Sequence, residues 1–169
     1  MVSSRFRSAR FAVVLLAFGS ATFVAGCDNS VDVEIPDADA TPAGWTLVWS
    51  DEFDGTALDE TKWEYQLGDG CPDLCGWGNN ELQTYTQANA TVSDGTLKIT
   101  AREEANDAYS SARLRTLGKG DWTYGRFEVK AKLPTGQGLW PAIWLLFSND
   151  TYGGWAASGE IDIMEAIGS

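Results

Sequence analysis

The sequence predicts an all-β domain built as a sandwich of two sheets. Eighteen Gly and eight Trp in 169 residues combine turn formers with aromatic side chains that favour strands. Short alternating runs recur between turn signals. No helix-length amphipathic segment appears after residue 27. Each alternating strand has one apolar face, and a second sheet is its natural cover. A chain that is 44% hydrophobic and 21% charged suits one globular domain with a sizeable core.

Residues 1–27 read as a targeting segment. Arg5, Arg7 and Arg10 form a positive head, and the apolar run Phe11–Phe18 is too short to span a bilayer unaided. The segment ends Val24-Ala25-Gly26-Cys27, which resembles a bacterial lipobox whose cysteine is acylated. A plain secretory cleavage site is the other reading. The expectation is an exported protein, anchored in the cell envelope through lipid on Cys27 or secreted. Cysteine arithmetic favours the anchor. Of three Cys, Cys71 and Cys75 are close enough to pair in an oxidising compartment, which leaves Cys27 for lipid. A metal site at Cys71 and Cys75 is the weaker alternative, because the chain has no His and no further Cys to complete it.

Without residues 1–27 the chain keeps 9 basic against 24 acidic residues, a net charge of −15. Such a surface repels nucleic acid and disfavours polyanionic substrates. A neutral partner fits it best. Residues 28–44 are acidic, contain Pro36 and Pro42 and lack aromatic residues, so they read as a flexible linker. The folded domain is expected over residues 45–169. Its strand-like runs are Trp45–Trp49, Glu81–Thr86, Thr96–Ala101, Ser111–Leu117, Trp122–Leu133, Leu139–Phe147 and Glu160–Ile167. Turn signals such as Ser93-Asp94-Gly95, Pro134-Thr135-Gly136 and Tyr152-Gly153-Gly154 separate them.

The strongest chemical signal is Gly159-Glu160-Ile161-Asp162-Ile163-Met164-Glu165. Alternation puts Glu160 and Asp162 on one face of a strand and sends Ile161 and Ile163 to the other, toward the core. Regular continuation would bury Glu165, at a cost of several kcal/mol for an unpaired carboxylate. An extra residue at Ile163–Met164 avoids this, so the pattern predicts a β-bulge there. Three acids on one face repel one another, which favours keeping a proton among them. Retaining glycoside hydrolysis needs that division, with one carboxylate attacking the anomeric carbon and one acid protonating the leaving oxygen, about 5–5.5 Å apart. Along the strand the two Glu backbones would lie roughly 13 Å apart, a gap for long side chains on a curved strand to close. An acidic solvated face and a calcium site fit the segment as well.

The same segment resembles the active-site signature of glycoside hydrolase family 16, in the E-x-D-x-x-E form of laminarinases rather than the E-x-D-x-E form of lichenases. Four further stretches resemble the family in the expected order. They are Trp49-Ser50-Asp51-Glu52-Phe53, Trp77-Gly78-Asn79-Asn80-Glu81-Leu82-Gln83, Tyr124-Gly125-Arg126-Phe127-Glu128 and Leu139-Trp140-Pro141-Ala142-Ile143-Trp144-Leu145-Leu146. The resemblance implies a concanavalin-like jelly-roll β-sandwich, incomplete at its C-terminal side. It also implies that the isolated chain is unstable or inactive. By the same resemblance Glu160 is the nucleophile, Glu165 the acid/base and Asp162 their helper, acting on a neutral β-1,3-glucan or mixed-linkage glucan. A transglycosylase and a non-catalytic glucan-binding protein of the same fold are the rival functions.

In that cleft, Trp140 and Trp144 would present indole faces to pyranose rings, or else pack in the core. Asn80, Glu81 and Gln83 have the amide and carboxylate groups that sugar hydroxyls need, and also those that a loop needs for itself. Arg113 is a candidate to orient a hydroxyl or carboxylate, with surface solvation as the alternative. No cofactor is required for the chemistry. A structural calcium is implied by the family, with Glu52 as a weak candidate ligand beside Asp51 and Asp54.

Overall fold

The computed structural model describes residues 44–168. Residues 51–168 belong to one compact unit, and they carry every strand among the described residues; residues 44–50 fall in another. The predicted signal segment, Cys27 and nearly all of the predicted linker lie outside the described residues.

Nine short strands make four small sheets, and no α-helix occurs among the described residues. Strand β1 (Glu64–Gln66) pairs antiparallel with β7 (Arg113–Arg115). Strand β2 (Gln83–Tyr85) runs parallel to β6 (Tyr109–Ser111), whose other edge takes the two-residue β5 (Arg102–Glu103). Strands β3 (Ala90–Ser93) and β4 (Thr96–Ile99) form a hairpin about Asp94-Gly95, both at positive φ as a tight two-residue turn requires. Strands β8 (Ala142–Leu146) and β9 (Glu160–Glu165) form the antiparallel pair that carries the acids.

The core is small. Phe53, Trp63, Val92, Leu97, Ala112, Leu114 and Ile143 are its buried apolar side chains, and Phe53 stacks on Trp63 with ring centroids 6.0 Å apart. Its one deeply buried amide, Asn89, donates to the Thr100 carbonyl at 2.8 Å and to Ser110 Oγ at 2.9 Å. That satisfies both of its donors and ties β6 to the end of the β3–β4 hairpin.

Two predicted strands are absent. Trp45–Trp49 and Trp122–Leu133 carry no strand among the described residues. Conversely, β1, β3 and β5 appear where no strand-like run was read, and β6 overlaps the run Ser111–Leu117 only at Ser111. The predicted burial of Ile161 and Ile163 also needs correction, since they are 63% and 40% exposed. Alternation fixes which side of a strand a residue takes, but a covering layer must supply the burial.

Candidate active site

The register of β8 on β9 decides where the acids point. Leu146 faces Glu160, Leu145 faces Ile161 and Trp144 faces Asp162; then Ile143 faces Met164 and Ala142 faces Glu165. Ile163 has no partner and is the extra residue of a bulge. Directly opposed residues share a face. Glu160, Asp162 and Glu165 therefore lie together with Leu146, Trp144 and Ala142, while Met164 lies with the buried Ile143. The bulge sits where the alternation argument required it.

Backbone pairing continues past β9, with Ala166 N–H donating to the Pro141 carbonyl at 3.1 Å and Gly168 N–H to the Leu139 carbonyl at 2.8 Å. Gly168 must be glycine for this approach, since a Cβ there would lie 1.8 Å from the Gly136 carbonyl oxygen. These bonds hold Trp140 beside Glu165, and its indole Nε1 donates to Glu165 Oε1 at 2.7 Å. Trp140 is still 49% exposed, so its ring remains open to a ligand. Trp155, which the alternation reading did not single out, donates its indole N–H to Glu160 Oε2 at 2.9 Å. The available signal was a Trp between glycine-rich turns, five residues before the first acid.

Behind Trp144 stands Arg113. Its guanidinium lies 5.0 Å from the Trp144 ring centroid and 4.5 Å from that of Trp77, held between two π faces. Arg113 Nε donates to Gln66 Oε1 at 2.8 Å, and its Nη1 is 3.6 Å from Glu81 Oε1. Glu81 is equally committed: its carboxylate accepts from Asn79 Nδ2 at 3.3 Å, Gln83 Nε2 at 2.9 Å and the Tyr85 hydroxyl at 2.5 Å. Burial first, then the hydrogen bond to Glu81 and its negative charge, push the Tyr85 phenol up to about 12. The Glu81 and Arg113 side chains thus serve each other, and link the Trp77–Gln83 segment through Trp144 to the acid-bearing strand. Asn80 is exposed at a positive φ of 57°.

The remaining predicted residues lie elsewhere. Cys71 and Cys75 are joined in a disulfide with Cα atoms 4.2 Å apart, as their spacing allowed. Glu52 stands next to Asp51, whose carboxylate accepts from the Phe53 N–H at 3.0 Å and the Trp63 indole at 2.7 Å. Among the described residues no three acidic or cysteine side chains gather to hold a cation.

The profile of glycosyl hydrolases family 16 matches residues 78–169, more than half of the chain and including all three acids. The chain belongs to that family. Over 132 residues it is 54% identical to a beta-glucanase of Rhodothermus marinus, a match covering 73% of this chain and 44% of the relative. It is 46% identical over 144 residues to glucan endo-1,3-beta-glucosidase A1 of Niallia circulans, covering 77% of this chain and 21% of that one. The laminarinase of Flavobacterium sp. UMI-01 matches in structure at a TM-score of 0.68 with 50% identity, over 73% of this chain and 53% of that one. The chain thus spans about half, or less, of these relatives. Its fold is all-β, of the jelly-roll class to which the laminarinases belong.

Proposed function

We propose that the protein hydrolyses internal β-1,3 or mixed β-1,3/1,4 glucosidic bonds of neutral glucans by a retaining double displacement. The observation that supports this most is the bulge at Ile163, which brings Glu160, Asp162 and Glu165 to one face opposite Trp144. In the first step Glu160 attacks the anomeric carbon, the bond to the leaving oxygen breaks, and that oxygen takes the proton of Glu165. In the second step Glu165 accepts a proton from water, the water oxygen attacks the same carbon, and Glu160 leaves as carboxylate. Asp162, between them on the same face, holds the charge and the hydrogen-bond pattern during the cycle. The half-exposed ring of Trp140 and the face of Trp144 offer apolar surfaces to pyranose rings. Export through residues 1–27 with acylation of Cys27 is part of the same proposal and rests on the sequence.

Incubation of the full chain with laminarin tests it. Wild type should release new reducing ends whose fresh anomers keep the β configuration, a result that would also overturn the expectation that the isolated chain is unstable or inactive. Glu160→Gln should lower turnover by about a thousandfold or more. Undiminished hydrolysis by that variant would remove Glu160 as nucleophile. Redistribution of chain lengths without new reducing ends would reassign the chemistry to transfer between sugars.

A further inference from the structure

Two indoles bracket the acids from opposite ends of the hairpin. Trp140 reaches Glu165 from the segment before β8, and Trp155 reaches Glu160 from the connection between β8 and β9. An indole N–H donates and cannot accept, so each occupies one carboxylate oxygen in a fixed sense. Trp155 is held by a closely bonded turn. Ala157 N–H donates to the Gly154 carbonyl at 2.7 Å and Gly159 N–H to the Ala156 carbonyl at 3.0 Å. The Ser158 hydroxyl accepts from the Tyr152 N–H at 3.0 Å and donates to the Gly153 carbonyl.

We propose that Trp155 is a positioning residue for Glu160: its indole N–H holds Oε2, which leaves Oε1 as the oxygen that attacks the sugar. The proposal rests on the hydrolase reading above. In the attack, the bond from Oε1 to the anomeric carbon forms as the bond to the leaving oxygen breaks, while Oε2 keeps its hydrogen bond throughout. Trp155 is 73% exposed, so the bond contributes little while water competes for both partners. A sugar lying over Glu160 excludes that water and strengthens the bond, which fixes the carboxylate for attack in the first step and stabilises the charge that returns to it when it departs in the second. The effect therefore belongs to turnover more than to binding. The charged and titratable groups around Glu160 are few. Asp162 and Glu165 share its face, β8 opposite carries none, the connecting loop has Asp150 and Tyr152, and Arg113 stands behind Trp144. Trp155 is thus the neutral donor that meets Glu160, as Trp140 is the one that meets Glu165.

Two measurements on the full chain decide it. In the indole region of a proton–nitrogen correlation spectrum, Trp155→Phe identifies the Trp155 N–H by its loss. That resonance should move in Glu160→Gln and stay in place in Glu165→Gln. On laminarin, Trp155→Phe should lower kcat about tenfold to a hundredfold and change KM less than about twofold. A resonance unmoved by Glu160→Gln overturns the proposal, as does a raised KM with kcat kept, which would make Trp155 a platform for sugar. Full hydrolysis by Glu160→Gln would be a different failure, that of the hydrolase reading itself.

Discussion

The Glu81 carboxylate is shared by Asn79, Gln83, Tyr85 and Arg113, and one of these partners gives the group a measurable pH signature. The Tyr85 hydroxyl donates to Glu81 from a largely buried site, and its phenol is pushed up from 10.0 to about 12. The folded chain therefore keeps that proton where the unfolded chain releases it. The stabilisation is fully present below pH 10.0, declines as pH rises, and is lost once pH passes about 12. Urea midpoints should fall over that window in wild type, and Tyr85→Phe should flatten the part due to this phenol. Burial and then the charge of Glu60 raise the Tyr65 phenol too, so absorbance of tyrosinate should show a last-titrating phenol that Tyr85→Phe removes, and a late phenol kept in that variant would remove Tyr85 from the network. Sequence reasoning named Glu81 and Arg113 as cleft residues because their chemistry suits a sugar. It did not show that they face each other, because their meeting depends on three-residue strands: β1, where no run is legible, and β2 and β7, which lie inside longer predicted runs.

At the scale of the element, the β8–β9 pair was the most legible part of the molecule. Leu139–Phe147 and Glu160–Ile167 alternate over enough residues to define faces, and a carboxylate at Glu165 does not tolerate the buried side of Ile143. That conflict located the bulge. The two-residue β5 and the three-residue β1 and β6 are too short to show a period, and they exist through their partners. Trp122–Leu133 is the opposite case: Phe127 and Val129 alternate with exposed charged residues, yet no strand forms there. The bulge makes a deletion test with a clear sign. Removing Ile163 alone leaves Met164 opposite Ile143 and Glu165 opposite Ala142, so the three acids keep one face and activity should stay within about tenfold of wild type. Removing both Ile163 and Met164 puts Glu165 opposite Ile143 and should lower turnover by about 10²–10⁴-fold, the usual worth of a general acid. Equal loss in both variants would show that the acids are not placed by strand parity.

The whole molecule carries −12 formal charges, and its candidate site adds three acids to an already acidic surface. Several of the described ion pairs that offset this charge are exposed, among them Arg126 with Glu128 and Lys98 with Asp94, and exposed pairs contribute little. Self-repulsion therefore opposes compactness at low ionic strength, and salt relieves it. A neutral glucan presents no charge to screen. Its recognition should depend on ring stacking at Trp140 and Trp144 and on hydrogen bonds, which salt barely touches. The two effects separate in one experiment. Between roughly 10 mM and 0.5 M sodium chloride the Debye length falls from about 30 Å to a few ångströms. Over that range the melting temperature of the full chain should rise, while kcat/KM on laminarin changes less than about twofold. A steep fall of kcat/KM with salt would mean that charge takes part in recognition, and the neutral-glucan assignment would not survive it. A charged polysaccharide offers the complementary arm: anionic chains should be excluded at low salt by the same field that destabilises the fold, so any gain of binding to them should appear only as salt is added.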